Sequence, residues 1–319
     1  MTGISDYVEP IRRPGALGVH SLDHVGVSVP DLKDVHRFYG EFGLDTREAG
    51  NGINLATQGG DHVWGNFVEG PRKKLRYLSF GAYEEDFERL RANLSTLGVP
   101  EVDPPAGLET NGVWVRDHDG NAVEIKVSEK VSPNRQGPFG ESLAEPGTRG
   151  APLRSETERV KPRRLSHALL FTSDVGKSID FYASVLGLRF SDRSADLVAF
   201  LHGAHGSDHH MLAFVESNGS GLHHLSWDMA SVNEVGIGAS HMAEQGYAKG
   251  WGLGRHVLGS NFYHYVMDPW GSFSEYAAGI DYIPADCDWQ SDDFDAADSF
   301  YLWGPDVPEA FTINHETAS

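Results

Sequence analysis

The chain has 319 residues, 39% apolar and 11% aromatic, a composition and length that suit two globular units of roughly 150 residues each, and it has no run near the roughly 20 apolar residues of a membrane span. Its net charge of −20 argues against nucleic acid and anionic membranes as partners, because phosphate contacts need clustered Lys and Arg. A single cysteine, Cys287, excludes an internal disulfide framework and a thiolate zinc cage, which leaves the 16 histidines as the informative residues.

The first 18 residues lack the apolar stretch and small-residue cleavage site of a secretory leader, so a cytoplasmic protein is expected. Residues 22–44, LDHVGVSVPDLKDVHRFYGEFGL, read as an apolar strand, a turn opening on Asp, and a helix with an aromatic pair before a Gly stop. LRYLSFGA (75–82) reads as a further strand, and Phe87, Leu90, Leu94 and Leu97 mark one face of a helix over 84–98. RDHDGNAVEI (116–125) completes a first domain over 18–130. Residues 131–163, rich in Pro, Gly, Ser and charge without apolar periodicity, are expected to be a linker.

From Leu165 the pattern starts again with LSHALLFTSDVGKSIDFYASVLGL. Leu22, His24, Phe38, Tyr39, Gly43 and Leu44 match Leu165, His167, Phe181, Tyr182, Gly187 and Leu188, mostly at an offset of 143 residues. LHHLSWDM (222–229) then echoes LRYLSFGA, a helix is expected within 230–246, and MDPWGSFSEY (267–276) echoes RDHDGNAVEI. The fold class is therefore α+β, with two tandem domains of paired βα-rich modules. The second domain spans 164–285, and 286–319 reads as an acidic, solvated, aromatic-studded tail or lid.

The repeat sets His24, Tyr77 and Glu124 opposite His167, His224 and Glu275. Only the second half carries two imidazoles and a carboxylate, the facial set of non-haem Fe(II) oxygenases that leaves three positions open. Burying His and Glu on apolar strands costs several kcal/mol unless they are paired or coordinated. The first half, with tyrosine in place of one ligand, is expected to be a scaffold, and His24 to be a packed strand histidine.

The segment GRHVLGSNFYHYVMDPWGSFSE carries Gly254, His256, Tyr265, Asp268, Pro269, Gly271 and Glu275. It resembles the signature of the type I extradiol dioxygenases of the vicinal oxygen chelate superfamily. One departure is His264, which stands where that signature has an aliphatic residue or Phe. The resemblance implies two vicinal-oxygen-chelate domains of paired βαβββ modules with the active site in the second. It implies metal ligands His167, His224 and Glu275 around Fe(II), with Mn(II) suiting the same donors. It also implies His256 and Tyr265 at the oxygens of a catechol, and His210, from HHMLAF, serving the oxygen intermediates. Side-chain alternation on a strand keeps His223 and His224 from both facing one metal, so His223 is read as a supporting neighbour of the ligands or an outward residue. His202, His205 and His209 are read as a polar loop.

O2 is the implied co-substrate, a ring-opened muconic semialdehyde-type product of aromatic breakdown is implied, and a homo-oligomer is expected, tetramers being frequent in the family. In the homoprotocatechuate branch an arginine lies five residues before the position of His256, where this chain has Trp251, and no basic pair follows near 299–304. A site without a cationic clamp suits a neutral or an alkyl- or hydroxyl-substituted catechol. Its pocket is expected to be lined by Phe200, Trp251, Phe262 and the Tyr301-Leu302-Trp303 stretch. The alternatives within the superfamily are a glyoxalase-type isomerase and a non-catalytic ligand-binding protein.

Overall fold

A computed structural model describes residues 8–9, 11–140 and 144–317. In the first half the chain forms β1 (Ser21–Val29), α1 (Leu32–Phe42), β2 (Leu44–Ala49), β3 (Gly52–Thr57) and β4 (Gly65–Glu69). It continues through β5 (Lys74–Ala82), α2 (Glu84–Leu97), β6 (Val113–Arg116) and β7 (Ala122–Val127). Asp31 caps α1 by accepting from the Lys33 amide at 2.8 Å. The helix stops at Gly43, whose φ of 103° is open to glycine and strained for other residues.

The second half repeats the plan with β8 (Leu165–Thr172), α3 (Val175–Leu186), β9 (Arg189–Ser194), β10 (Val198–His202), the short β11 (Ser207–Asp208) and β12 (Leu212–Glu216). Then come β13 (Gly221–Met229), α4 (Val232–Glu244), β14 (Gly250–His256), β15 (Phe262–Met267) and β16 (Phe273–Ala278). The tail adds β17 (Tyr282–Ile283), β18 (Asp293–Phe294), α5 (Ala296–Ser299) and β19 (Tyr301–Trp303). No helix among the described residues is long and apolar enough to cross a membrane.

The sheets run β2-β3-β4-β1-β5-β7-β6 and β18-β9-β10-β12-β8-β13-β16-β15-β14-β19. In each, an antiparallel central pair, β1·β5 or β8·β13, is flanked by parallel partners. Two modules thus face one another across the middle of each of these two large sheets, β11 and β17 pairing separately, and the central strands are almost wholly apolar or buried. The halves share one apolar core, in which Phe42 stacks on Tyr276 at 3.8 Å and the Tyr276 hydroxyl donates to the Phe42 carbonyl at 2.9 Å.

Two expectations need correction. The second module of the first half has only two strands after its helix, because residues 99–112 contain Pro100, Pro104 and Pro105, which lack the amide protons a ladder needs. Within the expected 286–319 tail, the described residues 286–317 do not form a solvated tail. Its strands β18 and β19 extend the two edges of the second sheet, and Ser299 and Phe311 are buried. Among its described residues the linker carries one short 3-10 turn, Arg154–Glu156, and it is pinned at its start by the Val131 and Ser132 amides donating to Ser21 Oγ.

Candidate active site and metal centre

Sheet register gathers the three candidate ligands. Ser226 on β13 pairs with His167 on β8 and with Glu275 on β16, and His224 stands two residues before Ser226, on the same face. His167 Nε2 lies 3.3 Å from His224 Nε2 and 3.3 Å from Glu275 Oε2, and His224 Nε2 lies 3.6 Å from Glu275 Oε2. Donors about 2.1 Å from one ion stand about 3.0 Å apart at right angles and about 3.4 Å apart at tetrahedral angles. The three atoms therefore fit around a single metal ion, and all three residues are buried.

Glu275 supplies the sharpest test of that fit. Its Oε1 accepts from Asn261 Nδ2 at 3.1 Å, whereas Oε2, fully buried and facing both imidazoles, has no hydrogen-bond donor. Burial pushes this carboxyl up, but its contact with His167 outweighs that and holds it below the ordinary value. An anionic oxygen with no hydrogen, aimed at two imidazole nitrogens, is a donor set for a cation.

His223 is buried beside the candidate ligands and is not an outward residue. The β8·β13 register slips between Leu222 and His224, so His223 is an extra residue in a bulge and turns toward its neighbour. It is buried against His224 and donates from Nε2 to the Phe311 carbonyl at 2.8 Å.

His210, His256 and Tyr265 converge on the same space. The His210 ring lies 4.1 Å from that of His167 and 4.7 Å from that of Phe200. Burial, then the neighbouring imidazoles, holds His210 well below its ordinary pKa. His256 gives its Nδ1 proton to the Phe300 carbonyl at 2.9 Å, which leaves Nε2 to accept from the Tyr265 hydroxyl at 2.9 Å. Burial and the nearby Glu275 raise Tyr265 far above the usual phenol range, so it stays a proton donor.

These groups line a cavity of about 410 Å³ whose walls are mainly apolar, including Leu169, Phe171, Val198, Phe200 and Leu258. No Lys or Arg among the described residues lines it; Glu216, at an exposed position, is the one acid besides the candidate ligand group. Trp251 and Phe262 do not line it, contrary to expectation. Trp251 lies behind the wall, stacked on Tyr265 and Phe300, with its indole N–H bonded to the Pro305 carbonyl. Phe262 shares the far face of β15 with His264 and stacks on Phe139.

The Tyr301-Leu302-Trp303 stretch is also displaced, since it forms the edge strand β19. Its neighbours Ser299, Phe300, Val307 and Phe311 line the cavity instead. Asn261, Phe300 and Phe311 were not anticipated. Asn261 lies inside the signature segment and so was visible there, whereas the two carbonyl acceptors carry no side-chain signal.

The first half has the same register without the same chemistry. Ser79 on β5 pairs with His24 on β1 and Glu124 on β7. There the Tyr77 ring fills the space over Gly26, where a Cβ would come within 2.0 Å of it, and its hydroxyl meets His24 Nε2 at 3.2 Å. Glu124 accepts from the hydroxyls of Ser79 and Thr110. Both carboxylate oxygens are satisfied by protein donors.

The sequence profile of the Glyoxalase/Bleomycin resistance protein/Dioxygenase superfamily matches residues 21–125 and 164–276, one stretch in each half. The chain belongs to this superfamily. It is 51% identical over 307 residues to Metapyrocatechase 2 of Cupriavidus necator, covering 96% of this chain and 95% of that protein. Among solved structures, a Mn(II)-bound glyoxalase from Novosphingobium aromaticivorans aligns with a TM-score of 0.74 at 26% identity, covering 92% and 94% of the two chains. The 2,3-dioxygenase LapB from Pseudomonas sp. KL28 aligns with a TM-score of 0.70 at 21% identity, covering 89% and 99%, and supports the fold of this superfamily member.

Proposed function

We propose that this chain is an extradiol ring-cleaving dioxygenase that inserts both atoms of O2 into a neutral, alkyl- or hydroxyl-substituted catechol to give a muconic semialdehyde-type product. His167, His224 and Glu275 hold Fe(II), and Mn(II) suits the same donors. The observation that carries this reading is the convergence of His210, His256 and Tyr265 on one cavity beside the unpartnered Glu275 oxygen. An isomerase or a carrier needs no such ring of proton-handling groups, and the 51% identical relative is named as a metapyrocatechase.

Iron(II) held by His167, His224 and Glu275 would supply the electronic link between a diol and triplet O2 that direct collision lacks. The protein supplies the rest. Tyr265 and His256 form a fixed donor–acceptor pair that orients the diol oxygens and takes up the proton released when the diol is bound. His210, beside His167, accepts a proton from the bound reactants at Nε2 and returns it to the oxygen-derived group as the ring opens. The apolar walls exclude water and receive the ring and its substituent. Without a cation on those walls, a carboxylated side chain has no partner.

The test is oxygen uptake by anaerobically purified, iron-loaded protein across a catechol panel. Catechol and methylcatechols should show higher kcat/KM than protocatechuate and homoprotocatechuate. Preference for a carboxylated ring would remove the substrate reading, and silence on the whole panel would remove the oxygenase reading.

A further inference from the structure

Behind His210 a buried polar chain leads from the cavity to the acidic C-terminal segment. His210 Nδ1 lies 3.0 Å from His209 Nδ1, and His209 Nε2 lies 2.7 Å from Asp192 Oδ2. Asp192 Oδ2 also accepts from the Trp289 indole N–H at 3.2 Å, and Oδ1 accepts from the Asp292 amide at 2.9 Å. The His209 ring has no solvent exposure, and Trp289 meets it edge-on at 5.3 Å. Its backbone is held at both ends, the amide donating to the Asp281 carbonyl at 2.7 Å and the carbonyl accepting from Ser191 Oγ at 2.5 Å. Gly259, at φ +87°, closes over both rings, where a Cβ would come within 3.2 Å of His210 Cε1 and 3.5 Å of His209 Nδ1. The pair was expected to be an ordinary polar loop plus one functional histidine. Its geometry is more specific than that.

We propose that His209 and Asp192 are positioning residues that fix the tautomer and ring orientation of His210, so that His210 presents an unprotonated Nε2 to the cavity. The inference rests on the role given to His210 above. The chemistry follows from the donor inventory. A carboxylate already accepting from Trp289 and Asp292 has no proton to give, so His209 donates its Nε2 proton to Asp192. Neutral His209 then offers only a lone pair at Nδ1. His210 must fill that contact with its own Nδ1 proton, which leaves Nε2 as the acceptor available to a bound molecule.

A near-identical arrangement backs His224, where His223 gives Nε2–H to the Phe311 carbonyl and so leaves His224 Nε2 bare. Besides lining the cavity, the C-terminal segment reaches it through this polar path, because Trp289 and Asp292 hold the carboxylate that orders it.

The experiment uses full-length protein loaded with diamagnetic Zn(II) and 15N-labelled at histidine, with tautomers read from long-range proton–nitrogen correlations. Wild type should show His210 protonated at Nδ1 only. His209→Phe should release it to the Nε2–H form, and His209→Asn, which keeps an acceptor at the Nδ1 position, should retain the Nδ1–H form. Asp192→Asn, whose carboxamide cannot accept from all three donors, should give a mixture. In the iron-loaded enzyme His209→Phe should lower kcat about 10- to 100-fold with little change in KM for catechol, and His209→Asn should recover part of the loss.

An Nε2–H form of His210 in wild type, or a tautomer unmoved in both His209→Phe and Asp192→Asn, would overturn the proposal. If His209→Phe does not fold, the nearly isosteric Asp192→Asn decides it. The tautomer reading needs no turnover. A wild type that leaves catechol intact yet shows the predicted shifts would sink the oxygenase reading and leave this chain standing.

Discussion

His223 and His224, neighbours on β13, meet Nδ1 to Nδ1 at 2.8 Å. Side chains of consecutive strand residues ordinarily point apart, and the bulge at His223 is what brings these two together. Because His223 Nε2–H is committed to the Phe311 carbonyl, its Nδ1 can only accept, and His224 must donate from Nδ1. That fixes His224 with a free lone pair at Nε2, pointed at His167 and Glu275.

Removing this support should weaken metal binding without removing a ligand. His223→Phe is expected to lower iron affinity about 10- to 100-fold in a chelator competition, with His223→Asn in between. Equal affinity in His223→Phe and wild type would mean that the bulge has no role in ordering the donors.

The repeat offers an internal control. His167→Ala, His224→Ala and Glu275→Ala should each abolish bound metal and activity, whereas His24→Ala and Glu124→Gln should retain both. The reason lies in the partners: Glu124 is closed by two hydroxyls and His24 by Tyr77, while Glu275 Oε2 has only imidazoles before it. Metal analysis of the folded variants checks this. Loss of iron from folded first-half variants would put the active half in the wrong place.

His210 and His256 should separate in their effects. His210→Phe should keep iron and bind catechol anaerobically but turn over about 10²–10⁴-fold more slowly, as when a positioned acid–base group is removed. His256→Phe should also disturb the anaerobic catechol complex, since its Nε2 pairs with Tyr265 on the substrate side. Failure of His210→Phe to hold iron would redraw the ligand set.

Acid should unfold the protein through histidines that are not among the candidate ligands. Burial lowers His20 and His202 to about 3 and His264 to about 4. These native values lie below the ordinary value of about 6.5, so the unfolded chain binds protons that the native chain refuses, and stability rises with pH across that window. It is fully present above about 6.5 and lost as pH falls toward 3–4. Urea midpoints should drop between pH 7 and pH 5, and His202→Asn, which keeps a partner for Ser191, should flatten the slope. A midpoint unchanged over that range would show that these rings are solvated in the native state.

Much of this was legible in the sequence, for a physical reason. His167, His224 and Glu275 lie on the three adjacent central strands β8, β13 and β16, and central strands leave the strongest apolar pattern. The repeat then gave the register, because Ser79 and Ser226 pair with their neighbours in the same way. What was not legible is what depends on backbone groups and on irregular chain. Phe300 and Phe311 act through carbonyl oxygens, which every residue has. The acidic segment looked solvated because most of its charged residues are exposed, while the few residues that dock it, such as Ser299, Phe311 and Glu316, are scattered without period. Trp251 and Phe262 were misplaced because large aromatic residues serve walls and pockets equally well, and only strand parity and packing decide between them.

The most direct measurement is mass analysis of the product formed from a methylcatechol and 18O2 by the iron-loaded enzyme under single-turnover conditions. The account predicts one O2 consumed per catechol and two 18O atoms in a ring-opened semialdehyde, apart from exchange at the aldehyde, with none formed by Glu275→Ala. Recovery of intact catechol with no oxygen consumed, or an isomerised product without 18O, would contradict it.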